Sequence, residues 1–185
     1  MAHDHLIEKT IDTKTIHKGR IITLTEQTVE LPNGKEAKRE IVLHPGAVTV
    51  LAITDEEKIL LVRQFRKPCD RALVETPAGK LEPGEEPLES AKRELEEETG
   101  YTASEWKKVN AFYTSPGFAN ELIHGYVATG LTKTAQNLDA DEFLDVIEAS
   151  AEDLERMIDN EEIYDAKTLL LAYWWLRERT KQGKA

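Results

Sequence analysis

A stretch of 23 residues, 79–101, limits what this chain can fold into more than any other part of its sequence. Pro87 suits the first position of a helix, where a backbone N–H would have no intrahelical partner. Gly100 suits the left-handed residue with which many helices end. The stretch therefore predicts a helix over 87–99, preceded by a glycine-containing loop.

This helix has two different faces. Three apolar residues recur at steps of three and four and predict a narrow buried stripe: Leu88, Ala91 and Leu95. Glu94, Glu97 and Glu98 share another face, because residues three and four apart are neighbours on a helix. Like charges at that spacing destabilise a helix, and a hard cation such as Mg²⁺ would compensate them. The alternative is a solvated acidic face.

Position by position, the stretch carries the polar and glycine residues of a known motif: Gly79, Glu85, Arg93, Glu94, Glu97, Glu98 and Gly100. It resembles the Nudix box over all of 79–101, so the chain is similar to Nudix hydrolases, which cleave nucleoside diphosphates linked to another moiety. Tyr101 stands where that family usually has an aliphatic residue, a difference that concerns packing. The resemblance implies the Nudix fold, an α/β (α+β) architecture with a mixed β-sheet sandwiched between helices.

Length and charge restrict the partners. A chain of 185 residues suits one domain with a small appended lobe. Its net charge of −11, without a basic stripe, argues against a nucleic-acid partner. Eight acidic residues lie between Glu82 and Glu98, so metal ions would have to invert the local potential before an anionic nucleotide could bind.

Cysteine content and hydropathy indicate the cellular compartment in which the protein is expected. Cys69 is the single cysteine, which excludes an intramolecular disulfide and suits a reducing environment. No apolar run approaches the length of a membrane span, and the first residues lack the layout of a signal peptide. We therefore expect a cytoplasmic protein with no membrane partner.

The sequence of residues 6–43 predicts a β-rich leader. A strand is predicted over 21–31, a turn over 32–34 and a returning strand over 36–43. These strands form either a small N-terminal antiparallel β lobe or the first strands of the main sheet. His-Pro-Gly at 44–46 breaks the pattern, so we place a soft boundary between a lobe, 1–44, and a catalytic domain, 45–185.

The rest of the chain alternates strands and helices. Strands are predicted over 47–53, 59–62, 106–113, 122–129 and 143–148, with loops over 114–121 and 135–142. Ser150 and Asp153 form a predicted capping box, followed by a helical stripe of Leu154, Met157 and Ile158. Asp165 is predicted to cap a last helix that runs to about Lys181 and is apolar all round over 169–176, which requires cover on more than one side.

Three segments outside the box, and one that leads into it, resemble the ADP-ribose pyrophosphatase subgroup: 44–46, 64–66 and 115–117, and 75–79. This resemblance implies hydrolysis of ADP-ribose to AMP and ribose 5-phosphate. Other nucleotide sugars, dinucleoside polyphosphates and oxidised nucleotides are alternative substrates. A non-catalytic nucleotide-sensing module is a further alternative, although the box glutamates are intact.

The resemblance also implies a metal site. Two or three Mg²⁺ ions, with Mn²⁺ as an alternative, would be held by five groups: the Ala78 carbonyl, Glu94, Glu97, Glu98 and Glu142. Glu142 lies in the segment 141–146, which resembles the one carrying a mobile catalytic glutamate, and would act as general base or as a ligand. Glu97 and Arg93 complete the catalytic set; Arg93 would orient the carboxylates, and Glu85 would brace the junction of loop and helix.

Six residues are expected to bind substrate: Arg39, Arg66, Glu75, Gly117, Phe118 and Glu121. Arg66 follows a predicted strand and suits either a substrate phosphate or a carboxylate-rich loop as its partner. Glu121 would contact the terminal ribose or its phosphate. In the subgroup that the chain resembles, the N-terminal lobe is exchanged between two subunits, so we expect a homodimer formed through that lobe.

Overall fold

The computed structural model describes residues 4–138, 140 and 142–184. The strands are β1 (Lys9–Lys18), β2 (Thr23–Glu30), β3 (Glu36–Leu43), β4 (Ala47–Ile53), β5 (Ile59–Arg66), β6 (Arg71–Glu75), β7 (Ala78–Lys80), β8 (Tyr101–Tyr113), β9 (Leu122–Lys133) and β10 (Leu144–Ala149). The α-helices are α1 (Pro87–Thr99), α2 (Ala151–Asp159) and α3 (Ala166–Lys181). The chain divides into an N-terminal unit, made of the described residues of 1–46 with 113–122, and a core unit, made of those of 47–112 with 123–185.

The N-terminal unit contains an antiparallel sheet with the order β1-β2-β3. The predicted turn joins β2 to β3: Gly34 has a φ of 78°, and its N–H donates to the carbonyl of Leu31 at 2.9 Å. The bounds of β1 were not predicted from the sequence. All of its residues are exposed, so it shows no alternation of buried and exposed positions that a sequence pattern could report.

The segment 113–122 belongs to the N-terminal unit although it connects β8 to β9. The N–H of Val42 in β3 donates to the carbonyl of Phe118 at 2.7 Å, and the N–H of Asn120 donates to the carbonyl of Val42 at 3.2 Å. The side-chain oxygen of Asn120 also accepts from the N–H of His44 at 2.7 Å. The predicted loop is confirmed, and these long-range bonds explain why it is ordered.

The core unit is built on a mixed sheet with the order β10-β5-β4-β9-β8. β4 runs parallel to β9 and antiparallel to β5. The pairing between β4 and β5 covers only Ala52 with Leu60 and Ile53 with Ile59. Beyond these pairs β6 lies along β5 and β7 lies along β4, so the sheet opens between its two central strands. The chain crosses this opening at 76–77.

Helices cover both faces of the sheet, which confirms the expected fold class. One buried cluster joins the sheet to α2 and α3: Leu51, Ile59, Leu61, Leu154, Leu171 and Trp175 are among its members. The other joins the sheet to α1: Val48, Val50, Leu60, Ala91, Leu95 and Tyr126 are among its members. Adjacent strand residues such as Ile59 and Leu60 point to opposite faces, so one strand supplies both clusters.

The predicted helix ends are confirmed. Pro87 is the first residue of α1, and Gly100 ends it with a φ of 70°. Ser150 and Asp153 form both bonds of the capping box at the start of α2. Asp165 accepts from the N–H of Thr168 at 2.9 Å and so caps α3.

Other boundaries differ from the prediction. β5 continues to Arg66, β8 begins directly after α1, and β9 continues to Lys133, because polar residues along these strands gain ladder bonds that their composition does not reveal. The last helix is covered on more than one side, as expected, because most residues of 169–176 are buried or partly buried: Leu169, Leu170, Leu171, Ala172, Trp174, Trp175 and Leu176. Within this segment Tyr173 is 57% exposed. Within the described residues, no helix is both long enough and apolar enough to traverse a lipid bilayer.

Substitution of two glycines with positive φ would measure how tightly the end of α1 is packed. A Cβ at Gly100 would lie 2.9 Å from the backbone nitrogen of Gln136, whereas a Cβ at Gly84, φ 81°, would meet nothing within 4 Å. Gly84→Ala should lower the free energy of unfolding by roughly 1 kcal/mol through the left-handed backbone alone. Gly100→Ala should lower it by about 3 kcal/mol, because a clash with backbone is added. Urea unfolding of both variants checks this, and equal losses would contradict the packing argument.

Candidate active site

Helix α1 presents its three glutamates at different depths. Glu94 is 8% exposed and Glu98 is 3% exposed, while Glu97 is half-buried. The face that carries Glu94 and Glu98 packs towards β4 and β7, so the two carboxylates lie inside the protein. The solvated acidic face considered as an alternative is therefore wrong for these two residues.

Glu94, Glu97 and Glu98 form what we call the glutamate cluster. Arg93 connects the acidic groups at one side of this cluster. Its Nη1 donates to Glu94 at 2.8 Å and to Glu97 at 2.9 Å. Its Nε and Nη2 donate to both oxygens of Glu85, at 3.0 and 3.1 Å. Glu85 in turn accepts from the N–H of Glu82 at 3.0 Å. The Arg93 hydrogen bond lowers the pKa of Glu85 to about 2, so Glu85 is a permanent anion that holds Arg93 in place.

Glu98 is the most deeply buried acid of the cluster. Burial raises its pKa to about 8; the hydrogen bond from the N–H of Ala78, at 3.0 Å, opposes the rise, and the negative charges of Glu94 and Glu142 add to it. Burial also raises the pKa of Glu94, although Arg93 partly offsets it. Two buried carboxylates with raised pKa values require a further positive charge if both are to be ionised.

Gly79 makes room for the carboxylate of Glu94. A Cβ at this position would lie 1.9 Å from Cδ of Glu94. The absence of a side chain at Gly79 therefore leaves space for one of the predicted ligands.

The cluster offers oxygen donors of the type that Mg²⁺ prefers, so its chemistry fits a hard cation. Across residues 4–138, 140 and 142–184, no three acidic, histidine or cysteine side chains already surround a common point. Arg93 bonds one oxygen of Glu94 and one of Glu97, and Ala78 bonds one oxygen of Glu98. Each carboxylate keeps acceptor capacity beyond these bonds, since an ionised carboxylate has about four lone-pair sites.

Glu142 approaches the cluster from the segment before β10. Its charge raises the pKa values of both Glu94 and Glu98, which places it near them. It also lines an open groove of about 410 Å³ together with Phe65 and Phe143. Asp139 and Asp141, in the predicted loop and in the segment 141–146, lie outside the described residues.

Arg66 and Glu75 form a bidentate ion pair. Nε and Nη2 of Arg66 donate to the two oxygens of Glu75, both at 2.7 Å. Glu75 is 1% exposed, and Nζ of Lys167 donates to it at 2.5 Å. Burial by itself would raise the pKa of Glu75, but the Arg66 hydrogen bond and the charge of Lys167 outweigh it and lower the pKa to about 2. Lys167 is not among the residues predicted from the sequence; its signal there was a lysine two residues before the apolar segment 169–176.

The other predicted substrate residues lie in the N-terminal unit. Arg39 donates to both oxygens of Glu8, at 2.9 and 2.6 Å. Glu121 accepts from the hydroxyl of Thr114 at 2.6 Å and pairs with His44 at 3.5 Å. The side chain of Phe118 is 58% exposed, and nothing lies within 4 Å of a Cβ at the neighbouring Gly117.

The predicted site residues therefore fall into two groups. The core unit brings together Ala78, Glu94, Glu97 and Glu98, with Arg93, Arg66, Glu75 and Glu142. The N-terminal unit holds Arg39, Gly117, Phe118 and Glu121.

Comparison with known proteins identifies the class to which this fold and site belong. Residues 43–171 match the NUDIX domain, and residues 8–42 match the nucleoside diphosphate sugar hydrolase N-terminal domain. The chain belongs to the Nudix family, which confirms the family expected from the box.

Two relatives are similar over nearly their whole lengths. The chain is 54% identical over 182 residues to an ADP-ribose pyrophosphatase of Bacillus subtilis, covering 97% of this chain and 98% of that one. It is 52% identical over 177 residues to a methanol dehydrogenase activator of Bacillus methanolicus, covering 94% and 96%. Its fold is similar to the crystal structure of an ADP compounds hydrolase, with a TM-score of 0.85 at 20% identity, covering 96% and 97% of the two chains.

The buried state of Glu98 predicts a pH dependence in metal-free buffer. A carboxylate with a pKa of about 8 in the folded protein and 4.5 when unfolded contributes stability at low pH that is lost as the pH rises to 8. Glu98→Gln removes this loss while keeping an acceptor for Ala78. The variant should therefore become more stable than the original chain between pH 5 and pH 8, by on the order of a few kcal/mol at pH 8. Urea unfolding with a chelator present measures the difference.

The matched control for this measurement is Glu96→Gln, on the exposed face of the same helix. Its stability relative to the original chain should not change over the same pH range. If the free energies of unfolding of Glu98→Gln and Glu96→Gln change with pH in parallel, then burial does not disfavour the ionised form of Glu98.

Proposed function

We propose that this chain hydrolyses the pyrophosphate bond of ADP-ribose, giving AMP and ribose 5-phosphate. The burial of Glu94 and Glu98 next to Glu142 supports the chemistry, since such a cluster is suited to binding cations against a diphosphate. The substrate is supported by the 54% identity to the B. subtilis ADP-ribose pyrophosphatase over almost the full length of both chains.

We propose Mg²⁺ as the cofactor, two or three ions per site, with Mn²⁺ as a substitute. Glu94, Glu98 and the carbonyl of Ala78 would hold it, with Glu97 and Glu142 as further ligands. When bound, the cation would neutralise the diphosphate and polarise the attacking water. The raised pKa values of Glu94 and Glu98 support this assignment, because a cation favours the ionised forms that burial disfavours.

The chain's own residues would do the rest of the chemistry by position and charge. Glu142, at the edge of the cluster, would accept the proton of the attacking water or add a ligand. Arg93 would align Glu94 and Glu97 through the bonds it makes in this structure. Arg66, whose side chain is 39% exposed, would bind a phosphate.

The remaining substrate residues act in less direct ways. Glu75 is buried and fully paired with cations, so its part in substrate binding would pass through Arg66. Arg39, Phe118 and Glu121, with Gly117, would contact the nucleotide or the terminal ribose. We propose residues 1–44 as the lobe and 45–185 as the catalytic domain.

A second function is suggested by the B. methanolicus relative, which is named as an activator of methanol dehydrogenase. This chain could act on a dehydrogenase in the same way, with or without hydrolysis of a nucleotide. Adding the purified protein to a methanol dehydrogenase assay separates the two functions, since the Glu98→Gln variant tells whether activation needs the hydrolytic site.

Free Cys69 is exposed, which supports a reducing compartment, and we place the protein in the cytoplasm. Its partner would be a small nucleotide and not a nucleic acid or a membrane.

Glu98→Gln should lower turnover of ADP-ribose by roughly two orders of magnitude or more, because it removes the charge of a central ligand. The measurement is product analysis by mass spectrometry in ¹⁸O-labelled water with Mg²⁺, which also reports which phosphorus is attacked. Glu96→Gln is the control and should keep full activity. Unchanged turnover by Glu98→Gln would remove Glu98 from the metal site; a panel of other nucleotide sugars and dinucleoside polyphosphates run beside it tests the alternative substrates.

We also propose a homodimer formed through the N-terminal unit. Six aliphatic side chains in or next to β1 and before β2 are 40–64% exposed: Leu6, Ile7, Ile11, Ile16, Ile21 and Ile22. A second copy of the chain would bury them.

Sedimentation equilibrium at micromolar concentration should therefore report a dimer. Ile16→Asp should weaken it at least about tenfold, by placing a charge in an apolar interface. Tyr173→Asp, on the exposed side of α3, is the control and should leave the mass unchanged. A monomeric wild-type chain would rule the proposal out.

A further inference from the structure

The opening between β4 and β5 is filled by polar side chains that reach it from α3. The hydroxyl of Thr168 accepts from the N–H of Thr76 at 2.8 Å and donates to Asp165 at 2.5 Å. The hydroxyls of Thr76 and Thr49 lie 2.8 Å apart. Thr49, Thr76 and Thr168 are all at most 1% exposed, so the start of α3 is anchored where the chain crosses from β6 to β7.

Lys167 of α3 bonds a carboxylate that the strand register assigns to the opposite face of the sheet. Helix α3 packs on the face that carries Leu61, whereas Glu75 is the register partner of Val62, which points to the face covered by α1. Nζ of Lys167 nevertheless lies 2.5 Å from Glu75 and 3.0 Å from Asp165. At 7% exposure, it is a buried cation whose charge is matched by carboxylates on both sides of the opening.

Glu75 is thereby held by two cations, and this determines how Arg66 is presented. Lys167 occupies the same oxygen, Oε2, that accepts from Nη2 of Arg66. A carboxylate bonded from both directions has one orientation, and its two oxygens align the Nε and Nη2 edge of the guanidinium. In the described part of the chain, these two are the hydrogen bonds of Arg66, which leaves three of its five N–H donors for another anion.

The exposed edge of Arg66 lies in the field of the glutamate cluster. The charges of Arg66 and Glu98 influence each other's pKa values, in opposite directions. The same crossing segment that Thr168 anchors continues to Ala78, whose N–H bonds Glu98. The start of α3 therefore fixes the position of Arg66 and the position of the backbone at Ala78, both of which border Glu98.

We propose that Lys167 is a positioning residue for substrate binding: through Glu75 it fixes the guanidinium of Arg66 so that the remaining donors meet a phosphate of the substrate. This inference rests on the proposed function, because it requires a diphosphate substrate at the glutamate cluster. It assigns a role to the last helix, which lies outside the box and carries no predicted site residue.

Kinetics of Lys167→Met, which keeps length and removes charge, test the proposal. Its KM for ADP-ribose should rise about tenfold while kcat changes less than twofold, because binding of the phosphate is weakened and the glutamate cluster is intact. Lys181→Met, on the exposed end of the same helix, should leave both constants unchanged. A fall in kcat at constant KM, in step with a loss of folded protein, would show a merely structural role and overturn the proposal.

A double-mutant cycle with Glu75→Gln tests the route of the effect. If Lys167 acts through Glu75, Lys167→Met should change KM less than twofold in the Glu75→Gln background. A tenfold change in both backgrounds would mean that Lys167 acts on the substrate without Glu75. Circular dichroism checks that all variants are folded at the assay temperature, and Lys167→Gln replaces Lys167→Met if the latter does not fold.

A readout without substrate separates this inference from the proposed function. The Nε–H resonance of Arg66, assigned by its loss in Arg66→Lys, should exchange with solvent at least tenfold faster in Lys167→Met than in the original chain. Unchanged exchange would overturn the proposal even if ADP-ribose is hydrolysed. Faster exchange together with inactivity towards ADP-ribose would support it and refute only the substrate, and the cycle would then be repeated with the nucleotide that the panel identifies.

Discussion

The burial of like charges on one face of α1 is the constraint to which the rest of the site responds. Glu94 and Glu98 lie inside the protein, where an ionised carboxylate is costly unless it is paired. Arg93 donates to one oxygen of Glu94, and the N–H of Ala78 donates to one oxygen of Glu98. The carboxylate of Glu94 occupies the space that a side chain at position 79 would need, so only glycine fits there. The site thus holds buried negative charge that its own cations do not balance, and burial raises the pKa values of both carboxylates.

The division of the sheet links this cluster to the remainder of the core. Because β4 and β5 pair over only two residue pairs, the chain can cross between them and place Glu75 and Ala78 on either side of the crossing. Side chains from α3 close the opening with hydrogen bonds rather than with apolar packing. A buried polar network of this kind specifies one arrangement, since each unpaired group would be costly. The position of Arg66 is therefore determined by residues about one hundred positions later in the chain.

The two units differ in how they are stabilised. The core unit has apolar clusters on both faces of its sheet, and helices cover the central part of each face. In the N-terminal unit, Val29 is buried while the aliphatic residues around β1 are exposed, so its sheet is held mainly by ladder bonds and by the segment 113–122. A three-stranded sheet with exposed aliphatic side chains is the kind of surface that a second copy can cover.

Local rules in the sequence by themselves determined both ends of α1 and α3, the start of α2, the turn at Gly34 and the strands β3 and β4, because caps, turns and apolar runs act over a few residues. They also determined the spacing of Glu94, Glu97 and Glu98, and hence the family. They could not locate β1, which has no buried face, or the pairing of 113–122 with β3, which joins distant segments. Only the tertiary structure decided that Arg66 is bonded to Glu75 and that Lys167 reaches the same carboxylate from α3. The reason is physical: a cap or a helical face depends on neighbours in the chain, whereas a buried ion pair depends on which distant charge the packing brings within hydrogen-bond distance.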